Sequence, residues 1–452
     1  VGSCGCGSGS SMKIEKAFFF IEALTGGFYV SITRTMFIPM LAYYGYPLDQ
    51  ISYIVMASGV LGIALSMLMY RYPEIISKSP KLLLVLTHFL ERVLWFSLPF
   101  LLDQPLILSI VYGMAQSITI PVGVLLNYSM LVLFPEEKDF TDLTILRTAG
   151  GSASSVLGLI IGVYATAFIE PPSVYEFLYF ISFMIGILGT LSISPLRVDS
   201  IVSLSRTSAS EISREEIEIS KINTFTMLSL MNIGANILGI AWTPLLKNLG
   251  APLSIPVALG LVGSIGGVIG PYLWKGFRMY LVAMMINALT VLLIPLTTPV
   301  YIHLLYSFIL SATFVGANLI GVSIYSRYVR SIGIVRASTF LTASTAVGML
   351  ISSFVGVLVR GDITLALIIS SIARFLAVLV AVLAIPETAL IPREIAVGYA
   401  RLVYSTTLLG YTFAVETSIR TLKITLQIIG IVILIVLVFL IYRIGFILYK
   451  GV

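Results

Sequence analysis

Pro39-Met40-Leu41-Ala42-Tyr43-Tyr44-Gly45-Tyr46-Pro47-Leu48 decides the fold once it is set beside Pro244-Leu245-Leu246-Lys247-Asn248-Leu249-Gly250-Ala251-Pro252-Leu253. Both follow the pattern P-x-L-x-x-x-G-x-P-L, and they lie 205 residues apart. Each copy closes one long apolar segment and opens the next. A shared turn at the same point of two hydrophobic series means a chain built from two similar halves.

Outward from these turns the chain is almost wholly apolar. Hydrophobic residues make up 58% and charged residues 11%, with a mean hydropathy of +1.04. A soluble domain needs far more charged surface than this, so the surrounding solvent is a bilayer. Stretches long enough to cross ~30 Å of hydrocarbon fall at 17–43, 48–70, 80–101, 106–133, 144–168, 175–194, 224–247, 252–274, 279–296, 300–325, 336–358 and 363–385. That is six, a break, and six. The expected fold is an all-α polytopic membrane protein of two six-helix bundles related by a parallel pseudo-repeat, with an additional transmembrane helix at the C-terminus. Its expected parts are a tail at 1–16, a first bundle at 17–195, a cytoplasmic linker at 196–223, a second bundle at 224–388, an amphipathic surface segment at 389–423 and the additional helix at 424–452. Within the linker, Glu211 to Glu218 alternates acids and bases at helical spacing and reads as a short surface helix. A fourteenth crossing is the alternative for the surface segment, which carries Arg401.

The net charge is +6 and the pI near 9.1, but the positive charges sit in short loops rather than on one basic face, which argues against nucleic acid. Alternate connections hold Arg71, Lys78 and Lys81, then Lys138 and Arg147, then Arg197, Arg206, Arg214 and Lys221, then Lys275 and Arg278, then Arg327, Arg330 and Arg336. The positive-inside rule then places the N-terminus and the linker in the cytoplasm of a multi-pass plasma-membrane protein. No cleavable signal peptide is evident. Cys4 and Cys6 lie in a Gly/Ser-rich run that reads as a flexible tail or tag remnant, the alternative being a soft-metal C-x-C pair. No metal, cofactor or catalytic group is expected in the membrane body.

The halves agree beyond the turns. Gly62 and Gly267 share an offset, Tyr70-Arg71 matches Trp274-Lys275 within one residue, and Arg147 and Arg336 each open a fifth helix that continues in small residues. Small residues let helix backbones approach closely in lipid, so these two helices are expected to be tight seams. With six plus six spans and a cytoplasmic linker, residues 17–388 resemble the major facilitator superfamily. The family's G-x-x-x-D-R-x-G-R loop is degraded here. Gly270, Lys275, Gly276 and Arg278 approximate it, with Trp274 in place of the acid, and only Arg71 remains in the first half.

The resemblance implies a central cavity lined by the first, fourth, seventh and tenth helices. Residues at i, i+3/4 and i+7 share one helix face, and those four spans carry polar stripes. They are Glu22, Gly26, Tyr29 and Thr33; Ser109, Tyr112, Gln116, Gly123 and Asn127; Ser229, Asn232, Asn236, Gly239 and Thr243; and His303, Ser307, Ser311, Asn318 and Tyr325. Arg34, Tyr29, Gln116, Asn127, Asn232, Asn236 and Asn318 are the candidate substrate-binding residues. The alternative is that such residues bond neighbouring helices.

Ionisable groups deep in a span each need a partner or a task. These are Glu22, Arg34, His88, Glu91, Arg92, His303 and Arg374. Glu22 and Glu91 are the candidate proton carriers, since a carboxyl in a poorly hydrated cavity can load and release a proton. Arg34 is three turns beyond Glu22 on another face, so the two cannot pair directly. It is either a grip for an anionic group or half of a structural pair with Glu91. His88, Glu91 and Arg92 read as a structural network, and His303 as interfacial.

The function implied is secondary active transport of an organic solute by alternating access, with proton coupling. A lipid flippase or scramblase, or a polytopic lipid-linked glycosyltransferase, is the alternative. Expected partners are a small organic or lipid-like substrate and the membrane lipids, with the protein acting as a monomer.

Overall fold

A computed structural model describes residues 8–72, 74–134, 137–196, 214–332, 334–390, 395–405 and 407. Its first six long helices are α1 (Ser8–Tyr44), α2 (Leu48–Arg71), α3 (Pro80–Ser97), α4 in two segments (Pro105–Ser117 and Thr119–Leu133), α5 (Glu137–Phe168) and α6 (Ser173–Ile193). The next six are α7 (Arg214–Asn248), α8 (Ser254–Leu273), α9 (Phe277–Leu293), α10 (Ile302–Ile332), α11 (Ile334–Leu358) and α12 (Ile363–Ala384). Ten of these are long and apolar enough to cross a bilayer. Outside that set are α1, which carries Glu22 and Arg34, and α11, whose apolar stretch is the shorter Thr342–Leu358.

The repeated turns have one geometry. Gly45 and Gly250 both take positive φ, 119° and 78°, where a side chain would be strained. Tyr46 N–H donates to Leu41 O at 3.0 Å, and Ala251 N–H donates to Leu246 O at 3.0 Å, the same bond in each half. This is the Schellman closure of a helix, in which the residue after the left-handed glycine satisfies a carbonyl of the last turn.

The two turns meet at one face of the molecule, called here the turn face. Lys247 Nζ donates to Ala42 O at 2.6 Å, joining equivalent positions of the repeat, and the Tyr43 hydroxyl donates to Ala251 O. The opposite end, where α6 leaves and α7 enters, is the linker face.

Within the first bundle α1 packs on α5 and α6; within the second, α7 packs on α11 and α12. The bundles join along α2–α11 and α5–α8. Small residues set these distances. A Cβ on Gly27 would stand 2.2 Å from Gly151 O, and one on Gly59 2.5 Å from the Leu350 nitrogen. A single methyl therefore separates either pair of helices.

Two segments differ from expectation. The helix expected from 224 starts at Arg214, so the short linker helix is, from that residue on, the first turns of α7. No glycine or proline interrupts 214–233, and the chain after α12 covers this stretch. Asn223 Nδ2 donates to Ala384 O and to Ala400 O, both at 2.9 Å, and Ser220 Oγ lies 3.2 Å from Glu387 Oε1. A helix over 395–405 buries Ala396 and Ala400, one turn apart, against this end of the second bundle. The opposite face of this helix, with Ile395, Tyr399 and Leu402, is exposed. The expected tail at 1–16 is helical from Ser8 on, as the first turns of α1, while residues 1–7 with Cys4 and Cys6, most of the linker, and 408–452 with the expected additional helix lie outside the described residues.

Candidate functional site

Glu22 and Arg34 stand twelve residues apart on α1, about 18 Å along the axis. On α3, His88, Glu91 and Arg92 are spaced i, i+3, i+4 and share a face. Packing α3 and α5 against α1 strings these groups into one buried chain. Arg147 Nη2 of α5 donates to Glu22 Oε2 at 2.5 Å, and Glu22 Oε1 is 3.5 Å from His88 Nε2. His88 Nε2 is also 3.0 Å from Arg92 Nη2. Arg92 Nη1 donates to Glu91 Oε2 at 2.5 Å, and Arg34 Nη2 donates to Glu91 Oε1 at 3.3 Å.

The partners fix the form of His88. A guanidinium only donates, so Nε2 facing Arg92 is an acceptor and the ring proton is on Nδ1. Nδ1 then donates to Thr190 Oγ1 of α6 at 2.9 Å. His88 is therefore neutral in this arrangement, with Nε2 held between a cation on one side and a carboxylate on the other.

Glu22, His88, Glu91 and Arg92 are all buried. Arg34 is the exception, with 37% of its side chain exposed. Between Glu22 and Tyr43 every residue of α1 is buried or half-buried. Gly239 is the single exposed residue of α7 from 219 to 246, and a Cβ built there meets nothing within 4 Å. On α4, Asn127 is exposed one turn from Gly123, which is likewise open. On α10, Asn318 is exposed on the side away from the lipid-facing Leu305. Positions open to space thus occur on α1, α4, α7 and α10, at Arg34, Asn127, Gly239 and Asn318.

Among the described residues two charged side chains of the second bundle are buried, Lys221 near the linker end of α7, with its ammonium over the Phe340 ring, and Arg374 deep in α12. Arg374 of α12 donates through Nη1 to Asn287 Oδ1 of α9, and Asn287 Nδ2 donates to Leu310 O at 2.7 Å and Thr313 Oγ1 at 2.8 Å. Among the described residues no carboxylate pairs with Arg374. His303, expected at the interface, is fully buried: Trp242 Nε1 donates to its Nδ1 at 3.0 Å, and its Nε2 is 3.1 Å from Thr297 O.

Of the other candidates, Gln116, Asn232 and Asn236 are partly exposed. Asn232 Nδ2 donates to Ser344 Oγ of α11 at 3.2 Å, and Asn236 Nδ2 donates to Asn232 O at 2.9 Å. Tyr29 is placed differently from expectation. Its ring lies 4.5 Å from the Arg92 guanidinium and its hydroxyl donates to Glu91 O, so it faces the bundle interior and supports the charged chain. Ser109 and Ser307 bond carbonyls of neighbouring helices, at Ile54 and Leu259. Sequence reasoning did not find Arg147 as the partner of Glu22, or Thr190 and Asn287; their partners lie 125, 102 and 87 residues away.

Among the described residues no group of three or more His, Cys, Asp or Glu is placed to hold a metal ion. A lateral groove of about 390 Å3 between α5 and α6 is lined by apolar and aromatic side chains, among them Ile160, Tyr164, Phe168 and Phe177.

No family model matches the sequence, and no curated protein matches it. Solved structures do match. A crystal structure of the nucleoside transporter NupG superposes with a TM-score of 0.56 at 12% identity, covering 81% of this chain and 97% of that one. A single-residue mutant of NupG superposes with the same score and identity over 98% of its length. At this level of identity, what the chain shares with these proteins is the fold.

Proposed function

We propose that this protein is a secondary active transporter that moves an organic solute by alternating access and couples that movement to protons. The reading is supported by the open positions on α1, α4, α7 and α10, at Arg34, Asn127, Gly239 and Asn318, which we take to line one gap between the halves, while the turn face is held shut by Lys247 and Tyr43. A solute in such a gap reaches the other side only if the bundles rock about their shared seams, the usual motion of two-bundle transporters. On the positive-inside rule the linker face is cytoplasmic, so the described state opens inward from the plasma membrane. Arg34, Gln116, Asn127, Asn232, Asn236 and Asn318 bind the solute, with Tyr29 holding the charges behind Arg34. The structural relatives make nucleosides the first solutes to try.

The charged chain supplies the coupling. A proton placed on His88 Nε2 ends its bond with Arg92 and makes it a donor to Glu22, 3.5 Å away. Glu22 then shares its charge between His88 and Arg147, which loosens α5 from α1 at the linker end. Glu91, held by two arginines, is the second carboxyl that a proton can neutralise once Arg34 moves.

Glu22→Gln in proteoliposomes tests the assignment. It keeps the shape and loses the charge, so accumulation driven by a pH gradient should vanish while solute exchange across the membrane continues. Full gradient-driven uptake by the variant removes Glu22 from the mechanism.

A further inference from the structure

We infer that the solute carries one net negative charge, held by Arg34, and lays its uncharged body against the open position at Gly239. This inference rests on the transport reading and specifies the chemical class of what that gap takes. The first observation is a charge count. The chain joins three cations, Arg34, Arg92 and Arg147, to two anions, Glu22 and Glu91, with His88 neutral. One positive charge is left over in a low-dielectric interior, where an uncompensated ion is costly.

The second observation says which cation is the surplus one. Arg147 and Arg92 each approach a carboxylate oxygen to 2.5 Å, whereas Arg34 reaches Glu91 at 3.3 Å and through one nitrogen. It is also the most exposed of the three, 37% against 18% for Arg147 and 3% for Arg92. If Arg34 lets go, Arg147–Glu22 and Arg92–Glu91 remain as two balanced pairs.

The third observation comes from the repeat. The 205-residue offset that superposes the turns also carries Arg34 onto Gly239. The pseudo-symmetric position, at the same depth on α7, therefore has no side chain and no neighbour within 4 Å of a would-be Cβ. The two repeat-related positions thus differ, α1 presenting a guanidinium where α7 presents open space. A guanidinium grips a carboxylate through two parallel hydrogen bonds. A monoanion brings the whole cluster to zero charge, while a dianion overshoots and a neutral solute leaves the surplus in place. A monocarboxylate, or a group of the same charge, is the class that fits.

The test reads the charge of the gap without needing the solute. Gly239→Cys, in a background with Cys4→Ser and Cys6→Ser, is modified in membranes by two methanethiosulfonates of similar size, the anionic sulfonatoethyl reagent and the cationic trimethylammonioethyl reagent. Rates are normalised to those with a free thiol. The anionic reagent should react severalfold faster, as attraction by one unpaired positive charge in a medium of intermediate dielectric requires. Arg34→Gln should bring the ratio close to one, and Arg34→Lys, which keeps the charge, should preserve it. Equal rates that Arg34→Gln does not alter overturn the anionic class and leave the transport reading standing. A cysteine that neither reagent reaches from either side means there is no open gap, and overturns both.

Discussion

In the first bundle, five charged side chains and a histidine from α1, α3 and α5 run from Arg147 to Arg34, each within reach of the next. In the second, Arg374 stands against the amide of Asn287 and no acid. Both interiors are buried in a membrane protein, where charge is expensive, so the contrast separates two uses of it. A chain of alternating charges can redistribute when one member gains a proton or a new partner. A lone cation fixed by an amide that is itself doubly bonded to α10 has no second arrangement available. In the proposed mechanism the first bundle carries the chemistry and the second is a fixed wall, a division matched by Arg34 on α1 against Gly239 at the repeat-related position of α7.

The largest predicted effect comes from cutting the chain at its most shared member. Glu91→Leu leaves Arg34 and Arg92 without their carboxylate and should lower stability in detergent by ~3–5 kcal/mol; a loss below about 1 kcal/mol would show that these contacts are not coupled. The second bundle should respond in the opposite sense. Replacing Arg374 and Asn287 together, as Arg374→Met with Asn287→Leu, removes a desolvated charge and its partner at once, so thermal unfolding should be unchanged or stabilised by up to about 4 kcal/mol. A destabilisation as large as that of Glu91→Leu would erase the contrast.

Seams are the next level. Gly27→Ala puts a methyl where Gly151 O stands, inside the first bundle, and should cost about 1–3 kcal/mol of unfolding stability. The smallest effect is expected between the bundles, at the turn face. Lys247→Met removes one hydrogen bond to Ala42 O, worth about 0.5–1.5 kcal/mol. Folding should be untouched while the population with an open turn face rises, read as faster thiol labelling of a Tyr44→Cys reporter; an unchanged labelling rate would show that the contact does not hold the face shut.

The turns and the helices were legible because glycine, proline and apolar length act locally. Arg34 and Glu22 could be kept apart on helical geometry alone. The site was less legible, for two reasons that Tyr29 and Arg147 illustrate. A polar stripe on a membrane helix shows only which face avoids lipid, and a helix such as α1 has two such directions, toward its own bundle and toward the gap. Tyr29 shares a stripe with Glu22 and turns to the bundle side, while Arg34, off that stripe, opens to the gap. The pairing of Arg147 with Glu22 depends on how α5 docks on α1, which is set by the contact of Gly27 with Gly151. The early start of α7 was missed because charged residues at 211–218 read as solvated, whereas from Ser220 on the stretch is covered by a segment more than 160 residues away.

Rocking of the bundles is the central claim, and pulsed electron-spin distance measurements address it directly. Spin labels at Tyr44 and Asn248 report the turn face, and labels at Asp142 and Tyr272 report the linker ends of α5 and α8. The account predicts two populations whose distances change in opposite directions, the turn face lengthening as the linker face shortens, with acidification or bound solute shifting their proportions. A single, unchanging distance at both faces under every condition would contradict alternating access and leave a static membrane scaffold.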